Sequence, residues 1–182
     1  MNKDKDTRVT PTNPFREWAL HTSHDTAWGE QLARWMGKVP GGLQLRWKVG
    51  TSTEIPWTPL KRPLSKATVA LVTTGGVHLC SDKPFLLKSD ATFRAIPRTA
   101  TSADLCITHE HYDRRDAARD LNLIFPLQRL LELEAEGIVG RVADMHYGLG
   151  FTDNPHELLL PGHKVGTMLA QAGVDLVLLV PA

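Results

Sequence analysis

The sequence predicts an α/β domain: a mostly parallel sheet with flanking helices, Rossmann-like or doubly wound, preceded by a helical amino-terminal extension. Three observations carry this. Two stretches, "ATVALVTTGGV" from Ala67 and the segment Val174 to Val180 within "GVDLVLLVPA", are runs of Leu, Val and Thr without alternation. Strands buried on both faces of a parallel sheet have this composition. Between the runs, segments follow in the order strand, loop, strand, helix, strand, helix, strand, which right-handed crossovers turn into a parallel sheet. Polar side chains gather where these strands should reach their carboxyl ends, the edge at which open α/β sheets bind ligands.

Residues 1–12 are polar and are expected to be disordered; 13–66 form a helical extension and connector; 67–182 form the α/β domain. In the extension, Asn13 is an N-cap candidate before Pro14, and Gly37 is a stop. Trp18, Trp28 and Trp35 are expected to be packing anchors rather than a cofactor box. The proline- and glycine-broken stretch from Val39 to Lys66 then wraps a surface. The first strand runs into a Gly75-Gly76 turn, where glycine allows a sharp exit; the GxGxxG spacing of a phosphate cradle is missing. "ADLCITHEHYD" is the second strand. "NLIFPLQRLLELEAEGIVG" is a helix that turns Leu127, Leu130, Leu131 and Leu133 to a sheet and stops at Gly137. A short strand lies around "GRVADMHYGL". The last helix, within "NPHELLLPGHKVGTMLAQAGV", is bent or delayed by Pro161-Gly162.

Several function classes are excluded by composition. The chain of 182 residues, 42% hydrophobic and 23% charged, suits a globular domain, and no apolar run approaches the roughly 18 residues of a membrane span. A net charge of +1 gives no reason to expect nucleic acid or an anionic membrane as a partner. The start "MNKDKDTRVTPTNP" lacks the apolar core of a secretory signal, so a cytoplasmic location is expected. Cys80 and Cys106 form no CxxC pair and are expected to be small buried hydrophobes kept reduced.

The predicted strand ends carry the candidate chemistry. His78 and Cys80 follow the first strand; His109, Glu110, His111, Tyr112 and Asp113 the second; His146 and Tyr147 the third. A single loop histidine commonly serves only a hydrogen bond, and "HYDRRDAARD" also reads as a solvated helix start capped by Asp113 or Asp116. Three strand ends doing the same thing is what a shared site requires. "ITHEHYDRR" also resembles the H-x-H-x-D-H loop of metallo-β-lactamase-fold hydrolases, with His109, His111 and Asp113 as metal ligands. Arg114 stands where that loop has its next histidine, and the helix-rich remainder does not suggest a β-sandwich.

A second resemblance covers far more of the chain. "IPWTPLKRPLSKATVALVTTGGVHLCSDKPF", "TFRAIPR", "LCITHEHYDRRDAARDLNLIFPLQRLLELEAEGIVGRVADMHYGLGF" and "VDLVLLVPA" together resemble the glycine, sarcosine, betaine and D-proline reductase family, selenoprotein B type, from about Ile55 to Ala182. "PLSKATVALVTTGGVH" and "DLNLIFPLQRL" are the most specific parts. The resemblance implies an oxidoreductase subunit that cleaves a C–N bond reductively. It also implies a Cys or selenocysteine nucleophile just after Ala182, so the domain is expected to be truncated at its carboxyl-terminal end. His78, His109, His111 and His146 would line that site, protonating the departing amine or stabilising the anion. Cys80 and Cys106 do not match the redox position. No cofactor is expected within this chain, whereas a pyruvoyl group would belong to a partner subunit. Implied partners are other reductase subunits, a thiol or selenol electron carrier and a small amino-acid-like substrate. A non-catalytic partner or relict scaffold lacking the nucleophile is the alternative, and the metal-dependent hydrolase the third reading. The codon after Ala182 in the source DNA tests the truncation: UGA followed by an open frame is expected, and a different stop without continuing frame would overturn it.

Overall fold

The computed structural model describes residues 58–181, so the expectations of a disordered start, of helical pieces up to Gly37 and of tryptophan packing anchors fall outside the described residues. The described part is a mixed α/β fold with a mostly parallel sheet. Its centre is β1 (Thr68–Thr73), whose residues alternate between two cores. Val69 and Leu71 join one cluster with Ile107, Phe125, Leu127 and Leu130. Ala70 and Val72 join the other with Tyr147, Val165 and Leu169. The uninterrupted apolar run thus has its cause in a strand covered on both faces, and each such fully buried side chain is worth about 1.5–3 kcal/mol.

On one side β1 pairs in parallel with β7 (Leu176–Val180), from Val69↔Leu176 to Thr73↔Val180. On the other it pairs in parallel with β5 (Arg141–Val142) and then β6 (Met145–Leu149). β3 (Phe93–Pro97) closes that side, antiparallel to β6. A separate two-stranded sheet joins β2 (Val77–Leu79) to β4 (Leu105–Ile107) antiparallel. The helices are α1 (Arg115–Arg119), α2 (Leu127–Ala135) and α3 (Leu159–Gln171). α2 lies on the Leu71 face of the sheet and α3 on the Val72 face. Glu134 ties α2 to the sheet: its carboxylate accepts from the Val142 N–H at 2.8 Å and from Arg98 at 2.7 Å. Burial alone would raise its pKa, but these bonds and the Arg98 charge hold it below the ordinary glutamate range.

The structure departs from expectation in four places. The second predicted strand does not enter the parallel sheet, because Gly76, at φ +67°, turns the chain back so sharply that the next residues themselves form β2 and take β4 as an antiparallel partner. β3 comes from "FRAIP", whose arginine and proline hide its strand character. β7 is not covered on both faces: among the described residues it pairs only with β1, and Leu176, Leu178 and Leu179 are 39%, 43% and 69% exposed. On α2, Leu127 and Leu130 are buried and Leu131 packs beside them while Leu133 is not, because six residues at about 100° each carry it roughly 240° around the helix from Leu127. Pro161 sits in the first turn of α3, where its missing N–H costs nothing.

Gly148 on β6 is where the two sheets meet, since a Cβ there would lie 1.8 Å from the Val77 carbonyl oxygen. Gly166, inside α3, has open space around it. Gly148→Ala should therefore cost at least about 3 kcal/mol in urea unfolding, whereas Gly166→Ala should add about 0.5–1 kcal/mol.

Candidate functional site

The turn after β1 and the end of β4 are laced together first. Thr73, fully buried, accepts the Gly75 N–H on its Oγ1 at 3.0 Å. The Thr108 N–H donates to the Gly76 carbonyl at 2.9 Å. A Cβ on Gly76 would stand 2.1 Å from the Thr108 carbonyl oxygen, so both the positive φ and the approach require glycine. Tyr112 completes the lacing, its hydroxyl donating to the Gly75 carbonyl at 3.0 Å. Burial holds the phenol's pKa well above its ordinary value despite the opposing charge of Arg114, so the group stays a donor.

His109, buried, occupies the middle of this edge. Its Nδ1 accepts the His111 N–H at 3.0 Å, which leaves the proton of the neutral ring on Nε2. Aromatic groups surround it: Tyr112 at 4.7 Å, Phe151 at 5.5 Å and His111 at 5.7 Å between ring centroids. His111 is exposed and stacks on Phe151 at 3.5 Å. The carboxyl end of β7 arrives at the same turn, where the Val180 carbonyl accepts the Thr74 N–H at 3.1 Å. Loops following β1, β4 and β6 and the last residue of β7 thus converge, which is the juxtaposition expected of the carboxyl edge.

The other two histidines are engaged differently. His78 donates from Nδ1 to the Leu79 carbonyl at 2.7 Å, so in its neutral ring Nε2 accepts from the Thr108 hydroxyl at 2.8 Å. It is 2% exposed and meets the edge of Phe85, holding the root of the His109 loop. His146 is fully buried on the Leu71 face, its Nδ1 accepting the Leu71 N–H at 3.0 Å and its ring edge-on to Phe125 at 6.1 Å. Among the described residues its Nε2 has no hydrogen-bond partner. The structure therefore brings His109 and His111 together, connects His78 to them through Thr108, and sets His146 in the core.

Asp113 turns to Arg115, accepting from its N–H and its guanidinium. Among the described residues no three His, Cys, Asp or Glu side chains are grouped to hold a metal ion, His109, His111 and Asp113 included. Sequence reasoning missed Phe151, which forms one wall, and Arg114, whose 2% exposure makes it a buried cation beside Tyr112. The run "DRRD" gives no signal of that, since charge runs ordinarily read as solvated. The cysteine expectation is also corrected: Cys80 is exposed and bonded to the half-buried Cys106, because the β2–β4 register sets their Cα atoms 5.0 Å apart.

Comparison with known proteins gives the following. The sequence profile described as glycine/sarcosine/betaine reductase selenoprotein B matches residues 44–182. The chain is 36% identical over 143 residues to the D-proline reductase subunit gamma of Acetoanaerobium sticklandii, covering 78% of this chain and 59% of that one. It is 31% identical over 132 residues to the glycine reductase complex component B subunit gamma of Carboxydothermus hydrogenoformans, covering 69% and 30%. With the betaine reductase complex component B subunit beta of Peptoclostridium acidaminophilum it shares 33% over 126 residues, covering 64% and 28%. The chain thus spans less than two thirds of the length of each of these relatives. No solved structure matches.

Burial, and secondarily the Arg98 charge, pushes the His146 pKa down to about 4 from 6.5. Above pH 6.5 the ring is neutral in both folded and unfolded chains. Between pH 6.5 and 4 only the unfolded chain binds the proton, so stability falls as pH is lowered through that window, by up to about 3 kcal/mol. Urea midpoints measured across it should fall for the wild type and change much less for His146→Gln.

Proposed function

The chain belongs to the glycine/sarcosine/betaine reductase selenoprotein B family, and from that premise we propose that it is the substrate-facing scaffold of a reductase-complex subunit that cleaves a C–N bond reductively. The observation that carries the reading is the meeting of the β7 carboxyl end with the His109 loop. The Val180 carbonyl is bonded to Thr74, the Gly75 carbonyl to Tyr112, and the Tyr112 ring lies against His109. A nucleophile on the residues that follow this strand would therefore emerge beside those side chains. In this reading the nucleophile is a Cys or selenocysteine of the whole protein that follows this strand, while Cys80 and Cys106 are bonded to each other.

A selenolate or thiolate there supplies the electron pair that bonds to the substrate carbon as the C–N bond breaks; a selenol is largely ionised at neutral pH, where a free thiol is not. The residues of this chain do the rest. The substrate nitrogen, carried as an ammonium, takes the electron pair of the breaking C–N bond and leaves as a neutral amine, while the Nε2–H of His109 donates a hydrogen bond to the anionic charge at the reacting centre. His111 and Phe151 form a flat wall that keeps water from the reacting carbon. Arg114 supplies positive charge beneath Tyr112, favouring the carboxylate that an amino-acid-like substrate carries. In this reading electrons return through a thiol or selenol carrier of the same complex, and any pyruvoyl group resides on a partner subunit. The protein works in the cytoplasm.

The second reading, a scaffold that binds another subunit without chemistry of its own, draws on the exposed leucines of β7. Turnover decides between them. In the complex assembled with the whole natural subunit and dithiothreitol as reductant, D-proline, glycine, sarcosine and betaine are assayed in turn. His109→Gln should lower kcat about 10²–10³-fold for the substrate that is turned over, with Gly166→Ala as the unchanged control. Full turnover by a His109→Gln, Tyr112→Phe double variant would give the scaffold reading the lead.

A further inference from the structure

A second chemical feature lies away from the histidine edge. Cys80 follows β2 and is exposed, while Cys106 sits half-buried within β4, and the two are bonded to each other. The register explains the proximity: Cys106 lies opposite His78, and the Cys80 N–H donates to the Asp104 carbonyl at 2.8 Å, so the cysteines are diagonal neighbours on one face of the ladder. Beside the bond opens a cavity of about 450 Å³, whose walls include Leu79, Cys80, Ser81, Pro97, Thr99 and Asp104. It is large enough for the tip of a cysteine-bearing loop and reaches the Cys80 side of the bond, not the Cys106 side.

We propose that Cys80–Cys106 is a thiol–disulfide exchange site, entered through this cavity and attacked at the Cys80 sulfur by a dithiol carried by a partner protein. The donor's thiolate bonds to Cys80 Sγ as the intramolecular S–S bond breaks, and Cys106 leaves as a thiolate that takes a proton from water. The donor's second thiol, as thiolate, then attacks its own sulfur in the mixed disulfide and frees Cys80, which is protonated in turn. Two electrons and two protons have passed to this chain, and the donor is now a disulfide. Re-oxidation is the reverse exchange with a partner's disulfide: the Cys80 thiolate attacks it, releasing one of its sulfurs as a thiolate, and the Cys106 thiolate, held close by the ladder, then displaces the other, so that the partner leaves as a dithiol. The proposal is independent of the role given to the histidines.

The purified full chain tests it without denaturant. Iodoacetamide followed by intact mass should add no label to the oxidised protein and should label both cysteines after brief dithiothreitol. Cys106→Ser, which leaves Cys80 alone, should release thionitrobenzoate from an aromatic disulfide reagent at least about 10-fold faster than Cys80→Ser, as accessibility controls exchange. Reduction only after urea has unfolded the chain would make the bond a structural clamp and overturn the proposal. So would free thiols that persist under oxidised glutathione, or equal rates for the two variants. Should a single-cysteine variant fail to fold by near-ultraviolet circular dichroism, the urea-free reduction of the wild type decides.

Discussion

The site depends on one backbone crossing, the bond from the Thr108 N–H to the Gly76 carbonyl. It forms only because residue 76 has no side chain: a Cβ would collide with the Thr108 carbonyl, and the φ of +67° is one that other residues rarely adopt. From this crossing β2 leaves toward β4, His78 reaches the Thr108 hydroxyl, and His109 begins the loop that Tyr112 pins back onto Gly75. The Val180 end of β7 rests on the neighbouring Thr74. The parallel sheet supplies the edge, and the crossing sets a histidine loop over it.

Buried polar groups follow the rule that they must be bonded, and where they are bonded decides their use. His78 gives both ring nitrogens to bonds, with the Leu79 carbonyl and the Thr108 hydroxyl; His146 gives Nδ1 to the Leu71 N–H, its Nε2 is an exception among the described residues, and burial keeps the ring neutral at the pH where it matters. His109 gives Nδ1 to its own loop and turns its ring among aromatic neighbours at a strand edge. An imidazole whose tautomer is fixed by its own loop presents Nε2–H as a hydrogen-bond donor to developing negative charge. The same residue type therefore plays two parts, and the hydrogen-bond partner, not the sequence position, separates them.

Sequence made β1 and the helices α2 and α3 legible because their burial is encoded as local pattern: Val69 to Val72 carry no alternation, and Leu127 and Leu130 fall on one helical face. It misled at β7, since "VDLVLLV" has the composition of a central strand while only one neighbour pairs with it among the described residues. It also failed at β2 and β4, three residues each, because strand direction there follows from a single glycine φ that composition does not record. Within the site, the convergence of His109 and His111 was readable as strand-end polarity. The burial of Arg114 and His146, the stacking of Phe151 and the bonding of the cysteines were not, being products of register between distant segments.

The β2–β4 sheet shows why a covalent bond is found where it is. A two-stranded ribbon of three residue pairs is marginal in water by itself. Gly148 lets β6 press against the Val77 backbone from one side, and the Gly76 crossing holds the entrance. At the far end Leu105 is buried and Leu79 packs beside it, and past them the Cys80 N–H bond to the Asp104 carbonyl and the disulfide fasten the strands. Closing a loop of 26 residues in the unfolded chain is worth about 3.5 kcal/mol in the chain-entropy account. Because His78 is the register partner of Cys106 and also the hydrogen-bond partner of Thr108, the redox state of the cysteines bears on the strand pair from which the His109 loop springs. The exchange site and the histidine edge are thus opposite ends of one short ribbon, and the fold links them through three pairs of residues.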